Sequence, residues 1–141
     1  MARSKPDLTQ LARIVLDTDA TSLYRKGRLP RPLADLVRAN IVCISFVTVG
    51  ELHKWALLWN WGQARLGGME LWLDEVPILS DGPGVARTWG GLAARAQRRG
   101  RKRPDNDTWI AACCIEGRLP LMTLNRRDFA GFAEHEGLVL L

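Results

Sequence analysis

The segment Ile14-Val15-Leu16-Asp17-Thr18-Asp19 sets the architecture of this chain, because an unbroken apolar run leads directly into acidic residues. Consecutive apolar residues without polar alternation are typical of a strand buried on both faces, as in parallel sheets. Similar runs recur at 41–45, 76–79, 121–123 and 138–141, with helical patterns between them. This alternation predicts a three-layer α/β fold with a mainly parallel central sheet of about five strands, flanked by helices.

Glycine, proline and capping residues mark the ends of the predicted helices. Gly67-Gly68 is expected to interrupt helical structure between the predicted segments 49–59 and 69–74. Asp105 or Asn106 is expected to cap the last of them. The predicted helical segments are 20–24, 49–59, 69–74, 85–99 and 108–116.

Composition bounds the class of protein. At 141 residues with 47% apolar and 25% charged residues, the chain is expected to fold as one globular domain over 1–141. The formal net charge of +5 and the pI near 9.6 favour polyanionic partners, above all nucleic acid. Solubility alone also accounts for a basic surface, so charge does not identify the partner.

The cysteines and the N-terminus indicate where the protein works. Cys43, Cys113 and Cys114 show neither zinc-site spacing nor an even count for disulfides, a usage typical of a reducing compartment. Met1 to Gln10 contains no apolar stretch of the kind that secretion signals carry, and no segment reaches the length of a membrane span. We therefore expect a cytoplasmic protein with no membrane partner.

Four acidic residues follow or open apolar segments: Asp17, Glu51, Asp107 and Asp128. Because the carboxyl ends of parallel strands meet at one edge of a sheet, these side chains can converge there. Carboxylates at close range repel one another unless a cation compensates them, and oxygen ligands suit Mg²⁺ or Mn²⁺. Each acid also has a purely structural interpretation, as a helix cap, as an ion-pair partner or, for Glu51, as half of a capping box with Thr48.

A family resemblance becomes visible in four stretches of the sequence. In chain order they are Leu16-Asp17-Thr18-Asp19, Ser45-Phe46-Val47-Thr48-Val49-Gly50-Glu51-Leu52, Asn106-Asp107-Thr108-Trp109-Ile110-Ala111-Ala112 and Thr123-Leu124-Asn125-Arg126-Arg127-Asp128-Phe129. Together they resemble the signatures of PIN-domain ribonucleases, and most closely those of VapC toxins from bacterial toxin–antitoxin pairs. The likeness runs from Ile14 to the C-terminus.

The resemblance implies an endoribonuclease that uses one or two Mg²⁺ or Mn²⁺ ions to hydrolyse RNA phosphodiester bonds. The catalytic and metal-binding acids of that family match Asp17, Glu51, Asp107 and Asp128. Thr123 and Asn125 match polar positions that support the site. The first motif usually reads Asp-Thr-Asn in such toxins, whereas here Asp19 replaces the asparagine, as a further metal ligand or as a helix cap. The resemblance also implies a homodimer and neutralisation by a cognate VapB-type antitoxin.

Two further sets of residues are candidates for partner binding. Basic residues before Asp107 and beside Asp128 can hold RNA phosphates, although each also suits a solvated helix end. These residues are Arg99, Arg101, Lys102, Arg103 and Arg126. Trp55 and Trp59 lie four residues apart on one predicted helix, where they serve either the core or an interface with the antitoxin.

Two other functions fit parts of the sequence. The stretch from Ile14 to Asp19 also resembles the first motif of haloacid-dehalogenase-like phosphatases, in which Asp17 would be the nucleophile and Asp19 the general acid. The later motifs of that family are missing. A non-catalytic PIN-like module that binds RNA or protein is the other alternative, but a pure binding module gains nothing from repelling carboxylates next to a polyanion.

Overall fold

The computed structural model describes residues 12–141, so the expectation for Met1 to Gln10 concerns residues outside those described. Strands and helices alternate along these residues almost as predicted. The strands are β1 Arg13–Leu16, β2 Ile41–Ser45, β3 Ile78–Leu79 and β4 Leu121–Met122. The helices are α1 Thr18–Arg25, α2 Arg31–Ala39, α3 Phe46–Leu58, α4 Gln63–Glu75, α5 Pro83–Arg98, α6 Asp105–Gly117 and α7 Arg126–Glu136.

The sheet is parallel throughout, in the order β3-β2-β1-β4, so the first strand of the chain lies near its centre. The register pairs Val15 with both Cys43 and Leu121. The prediction of about five strands is wrong by one: 138–141 forms no strand and touches the sheet through a single parallel bridge between Leu121 and Leu140. Its ladder is too short for a strand, although the bridge still covers the outer edge of β4.

Alternate strand residues face opposite layers, which gives the predicted three-layer arrangement. Val15, Cys43 and Leu121 pack with residues of α5, α6 and α7 in one core cluster. Leu16 and Ile44 point the other way, towards clusters formed with α1 and α2 and with α3 and α4. The three-layer α/β fold is therefore confirmed.

Two helix predictions are corrected by the structure. The glycines at 67 and 68 do not interrupt α4, because Met69 and Leu73 pack against α3 and hold the helix together despite its poor propensity. Neither Asp105 nor Asn106 caps α6; Pro104 occupies the N-cap, and its carbonyl oxygen accepts a hydrogen bond from the Thr108 hydroxyl. Within residues 12–141, none of the helices combines the length and the apolar character needed to cross a membrane.

Candidate active site

All the predicted acids line one cavity of about 110 Å³ at the carboxyl edge of the sheet. Asp17 follows β1, Glu51 lies on α3, and Asp107 and Asp128 lie in the first turns of α6 and α7. Asp19 lines the same cavity. Acidic residues up to about a hundred positions apart in the sequence are thus brought to one place by the parallel topology.

Asp17 is the most buried acid of the cavity, with 4% of its surface exposed. One carboxylate oxygen accepts a hydrogen bond from the amide of Ala20 at 2.9 Å and so caps α1, and the other accepts one from the Thr123 hydroxyl. Asp17 therefore does cap a helix while also facing the cavity. Burial, together with the charges of Asp19 and Asp107, raises its pKa to about 6 against the lowering effect of both hydrogen bonds.

The pKa of Asp107 reflects the repulsion between the carboxylates of the cavity. Burial raises its pKa, and the charges of Asp128, Glu51 and Asp19 add to that rise. Among residues 12–141, the charge that opposes this rise is that of Arg103, whose guanidinium donates a hydrogen bond to Asp128 at 3.2 Å. One arginine does not offset this density of carboxylates, so the cavity favours binding of a cation.

Glu51 is held by Thr18, a residue of the first motif that was not among the predicted site residues. The Thr18 hydroxyl donates to its carboxylate at 2.8 Å and lies 3.0 Å from the Thr48 hydroxyl. The capping-box interpretation of Glu51 is wrong, because Ser45 caps α3 by accepting from the Thr48 amide at 3.4 Å. Thr18 directly follows Asp17 and occupies the threonine position of the Asp-Thr-Asn pattern, which is the signal in the sequence that could have pointed to it.

Asn125 and Thr123 connect the end of β4 to α1. The Asn125 side chain donates to the Asp19 carboxylate at 2.8 Å, and its backbone amide donates to the Thr123 hydroxyl at 2.9 Å. The Thr123 hydroxyl in turn donates to Asp17. Asp19 does not cap α1, since Asp17 occupies that position. This chain of hydrogen bonds orients the two acids of the first motif relative to the cavity.

The chemistry of the cavity suits a hard divalent cation. Its lining offers five carboxylates and one amide oxygen, which are the donors that Mg²⁺ and Mn²⁺ prefer. No set of three acidic, histidine or cysteine side chains between 12 and 141 is already arranged to grip one ion. Each of four acids instead has a partner within the protein: Asp17 with Thr123, Glu51 with Thr18, Asp19 with Asn125 and Asp128 with Arg103. An ion bound here would share these carboxylates with their hydrogen-bond partners.

The predicted RNA-binding residues separate into two groups. Arg99, Arg101 and Arg103 line a second cavity of about 450 Å³ together with Arg127, beside α7. Lys102 is exposed outside that lining, and Arg126 donates instead to the backbone carbonyl of Leu141 at 2.6 Å. Arg103 connects the two cavities through its bond to Asp128.

The two tryptophans of α3 have different surroundings. Trp55 lines the acidic cavity, whereas Trp59 is 62% exposed, with their ring centroids 5.5 Å apart. Next to Trp59, Leu57 and Leu58 are 80% and 60% exposed. The end of α3 thus presents a free apolar surface that the core does not use.

Comparison with known proteins identifies the architecture. The model of the PIN domain family matches residues 14–135. The chain belongs to the PIN domain family. The stretches that resembled PIN-domain ribonucleases all lie inside the match, so that resemblance is confirmed. Membership of the PIN domain family argues against the haloacid-dehalogenase-like phosphatase alternative.

The relatives of this PIN domain include a VapC ribonuclease and a VapBC toxin–antitoxin system. Ribonuclease VapC2 of Haemophilus influenzae is 29% identical over 123 residues, which cover 84% of this chain and 91% of the relative. The structure of VapBC-5 from Mycobacterium tuberculosis, a toxin–antitoxin system, superposes with a TM-score of 0.66 at 26% identity, over 92% of this chain and 98% of the other.

Another solved structure confirms the fold at lower sequence identity. VapBC2 from Rickettsia felis, bound to a DNA fragment from its promoter, superposes with a TM-score of 0.76 at 19% identity, over 92% of this chain and 97% of the other. Similarity to VapC proteins, indicated by the motifs, is confirmed by these comparisons.

Proposed function

We propose that this PIN domain is the VapC-type toxin of a VapBC pair and a metal-dependent endoribonuclease. The observation that carries the proposal is the convergence of Asp17, Glu51, Asp107 and Asp128 in one cavity, where the pKa of Asp17 is raised to about 6. Similarity to Ribonuclease VapC2 supports RNA as the substrate. The basic lining of the neighbouring cavity supports a polyanionic substrate independently.

Asp17 and Asp107 would hold one Mg²⁺ or Mn²⁺ ion, with Glu51 and Asp128 as further ligands of that ion or of a second. When bound, a divalent cation lowers the pKa of a coordinated water and offsets the charge that develops on the scissile phosphate. Thr123 and the Ala20 amide keep the Asp17 carboxylate aimed at the cavity, and Thr18 does the same for Glu51. Such supporting contacts preserve the ligand geometry on which activity depends.

The chain's own cations would position the substrate. Arg99, Arg101 and Arg127 face a cavity large enough for a phosphate group and its sugar, next to Asp128. Contacts of this kind hold the backbone of RNA without specifying its sequence. Affinity for RNA is therefore expected to fall steeply as the salt concentration rises.

The test is cleavage of a labelled RNA by the purified protein with and without Mn²⁺. Asp17→Asn and Asp107→Asn are expected to lower the rate at least about a hundredfold, since loss of cation stabilisation is worth several kcal/mol. Asp81→Asn, an exposed acid in a loop, is the matched control and is expected to keep the rate. Cleavage that survives excess EDTA, or folded variants that keep full activity, would contradict the proposal.

A calorimetric titration with Mn²⁺ separates the nuclease from a non-catalytic PIN-like module. The nuclease is expected to bind the ion, and Asp107→Asn is expected to weaken that binding. An RNA-binding protein that neither holds Mn²⁺ nor cleaves would favour the binding module.

The proposal includes a cytoplasmic location and an antitoxin partner. The three free, buried cysteines support the location. The antitoxin partner follows from the VapBC neighbours.

A further inference from the structure

A third cavity lies between the C-terminal end of α1 and the start of α4. Its volume is about 130 Å³, and none of its lining residues is acidic. Three cations reach it from two helices and the residue after α1. The lining residues are Ser22, Arg25, Lys26, Leu52, Trp61 and Arg65.

Two residues that line this cavity each carry a buried hydrogen-bond donor that has no acceptor among the described residues. Neither Nη1 of Arg25 nor Nε1 of Trp61 has a hydrogen-bond partner within residues 12–141, although both atoms are shielded from solvent. A buried donor left in this state costs about 1–3 kcal/mol, so such atoms are rare in native proteins. Because Arg25 and Trp61 both line this one small cavity, an acceptor group bound there is a candidate partner for their donors.

The guanidinium groups are held in place before any ligand arrives. Arg65 stacks on the ring of Trp61 at 3.7 Å from its centroid, and Arg25 stacks on Trp72 at 5.1 Å. Stacking leaves the N–H edges of a guanidinium free to donate in its plane. Burial lowers the pKa of Arg25, and the like charge of Arg65 lowers it further. An anion would relieve this repulsion and satisfy the donors at once.

We propose that this cavity binds one carboxylate, carried by an acidic side chain of a protein partner. The proposal rests on the proposed function in one respect, namely that the partner is the antitoxin. A protein is favoured over RNA because α3 and α4, which contribute Leu52 and Arg65 to the cavity, also expose large apolar side chains near their ends: Leu57, Trp59 and Leu71 are 80%, 62% and 70% exposed. A polypeptide covers such a surface favourably with apolar side chains, whereas a ribose-phosphate backbone does not.

The first experiment uses acetate as the probe for the carboxylate. The indole N–H signal of Trp61 in the ¹⁵N-labelled full chain, assigned with Trp61→Phe, is followed during a titration with sodium acetate against sodium chloride at equal ionic strength. Acetate is expected to shift this signal in the wild type but not in Arg65→Gln. Absence of any acetate-specific shift would overturn the proposal.

The second experiment measures the affinity of the full-length toxin for the antitoxin encoded beside it. Arg65→Gln and Trp61→Phe are each expected to weaken binding about tenfold, the usual effect of losing a hydrogen bond to a charged group. Arg87→Gln, an exposed arginine on α5, is the matched control. Arg65→Glu is expected to regain affinity when the contacting acid of the antitoxin is changed to arginine. Circular dichroism checks that each variant is folded.

The outcomes separate this inference from the proposed function. Unchanged antitoxin affinity in both folded variants overturns the carboxylate site. Reduced RNA affinity of the isolated chain with unchanged antitoxin affinity also overturns it, since the ligand would then be an RNA phosphate. If antitoxin affinity falls as expected but the wild type lacks EDTA-sensitive cleavage, the cavity assignment stands and the nuclease assignment fails.

Discussion

Replacing Asp17 by asparagine is expected to stabilise the protein in the absence of divalent cations. The carboxyl is buried, and its pKa rises from 3.8 to about 6 on folding, so the folded state resists ionisation. At about 1.4 kcal/mol per pH unit, that difference corresponds to about 3 kcal/mol lost by the wild type at neutral pH. Asparagine carries no charge and can still cap α1.

The pH dependence gives the sign of the effect. Below about pH 4 the carboxyl is protonated in both the unfolded and the folded chain, and the substitution has no electrostatic consequence. As the pH rises from about 4 to about 6, the unfolded chain ionises while the folded chain keeps its proton, so the free energy of unfolding of the wild type falls. The stabilising effect of Asp17→Asn should therefore grow between these values and then level off.

The assay is thermal unfolding followed by circular dichroism in EDTA at a series of pH values. A change of about 3 kcal/mol moves the midpoint by about 10 °C in a domain of this size, less whatever is lost by rearranging the bond to Thr123. Asp81→Asn, with its exposed carboxyl, controls for the change in net charge. A variant less stable than the wild type at pH 7, or a gain independent of pH, would refute this reasoning.

Other substitutions test neighbouring parts of the site and fold. Thr123→Val removes the donor to Asp17 and should lower cleavage about 10- to 100-fold, the usual effect of losing a ligand-orienting contact; Thr123→Ser should retain most activity. Arg103→Gln frees Asp128 and should raise Mn²⁺ affinity up to about fivefold in calorimetry, whereas unchanged affinity would mean that the pair does not compete with the ion. Gly67→Ala should raise the free energy of unfolding by about 0.5–1 kcal/mol, because an added Cβ meets nothing within 4 Å on α4. Gly100→Ala, at a φ of +74°, is its control and should destabilise.

Local patterns were enough to predict most of the architecture. Apolar runs marked β1 and β2 within their observed bounds, and the four acids that follow or open apolar segments were predicted to face one edge of the sheet. These features depend on residues next to one another in the chain. Short segments were less predictable: β3 comprises only Ile78–Leu79, because its ladder with β2 consists of two residue pairs, Ile44 with Ile78 and Ser45 with Leu79.

Contacts between distant residues could not be predicted in the same way. The bond from Thr123 to Asp17 spans 106 positions and that from Thr18 to Glu51 spans 33, so no local propensity records either. Packing of Met69 under α3 kept α4 continuous where its glycines predicted a break.

By itself, the sequence determined a parallel α/β fold of the PIN family and the set of acids that one edge of its sheet collects. The folded chain decided which partners Asp17, Asp19, Glu51 and Asp128 meet, and it brought Arg25, Arg65 and Trp61 to the lining of one cavity. The physical reason is that strand and helix patterns repeat over a few residues, whereas burial, repulsion between like charges and side-chain hydrogen bonding arise only between segments that folding brings together.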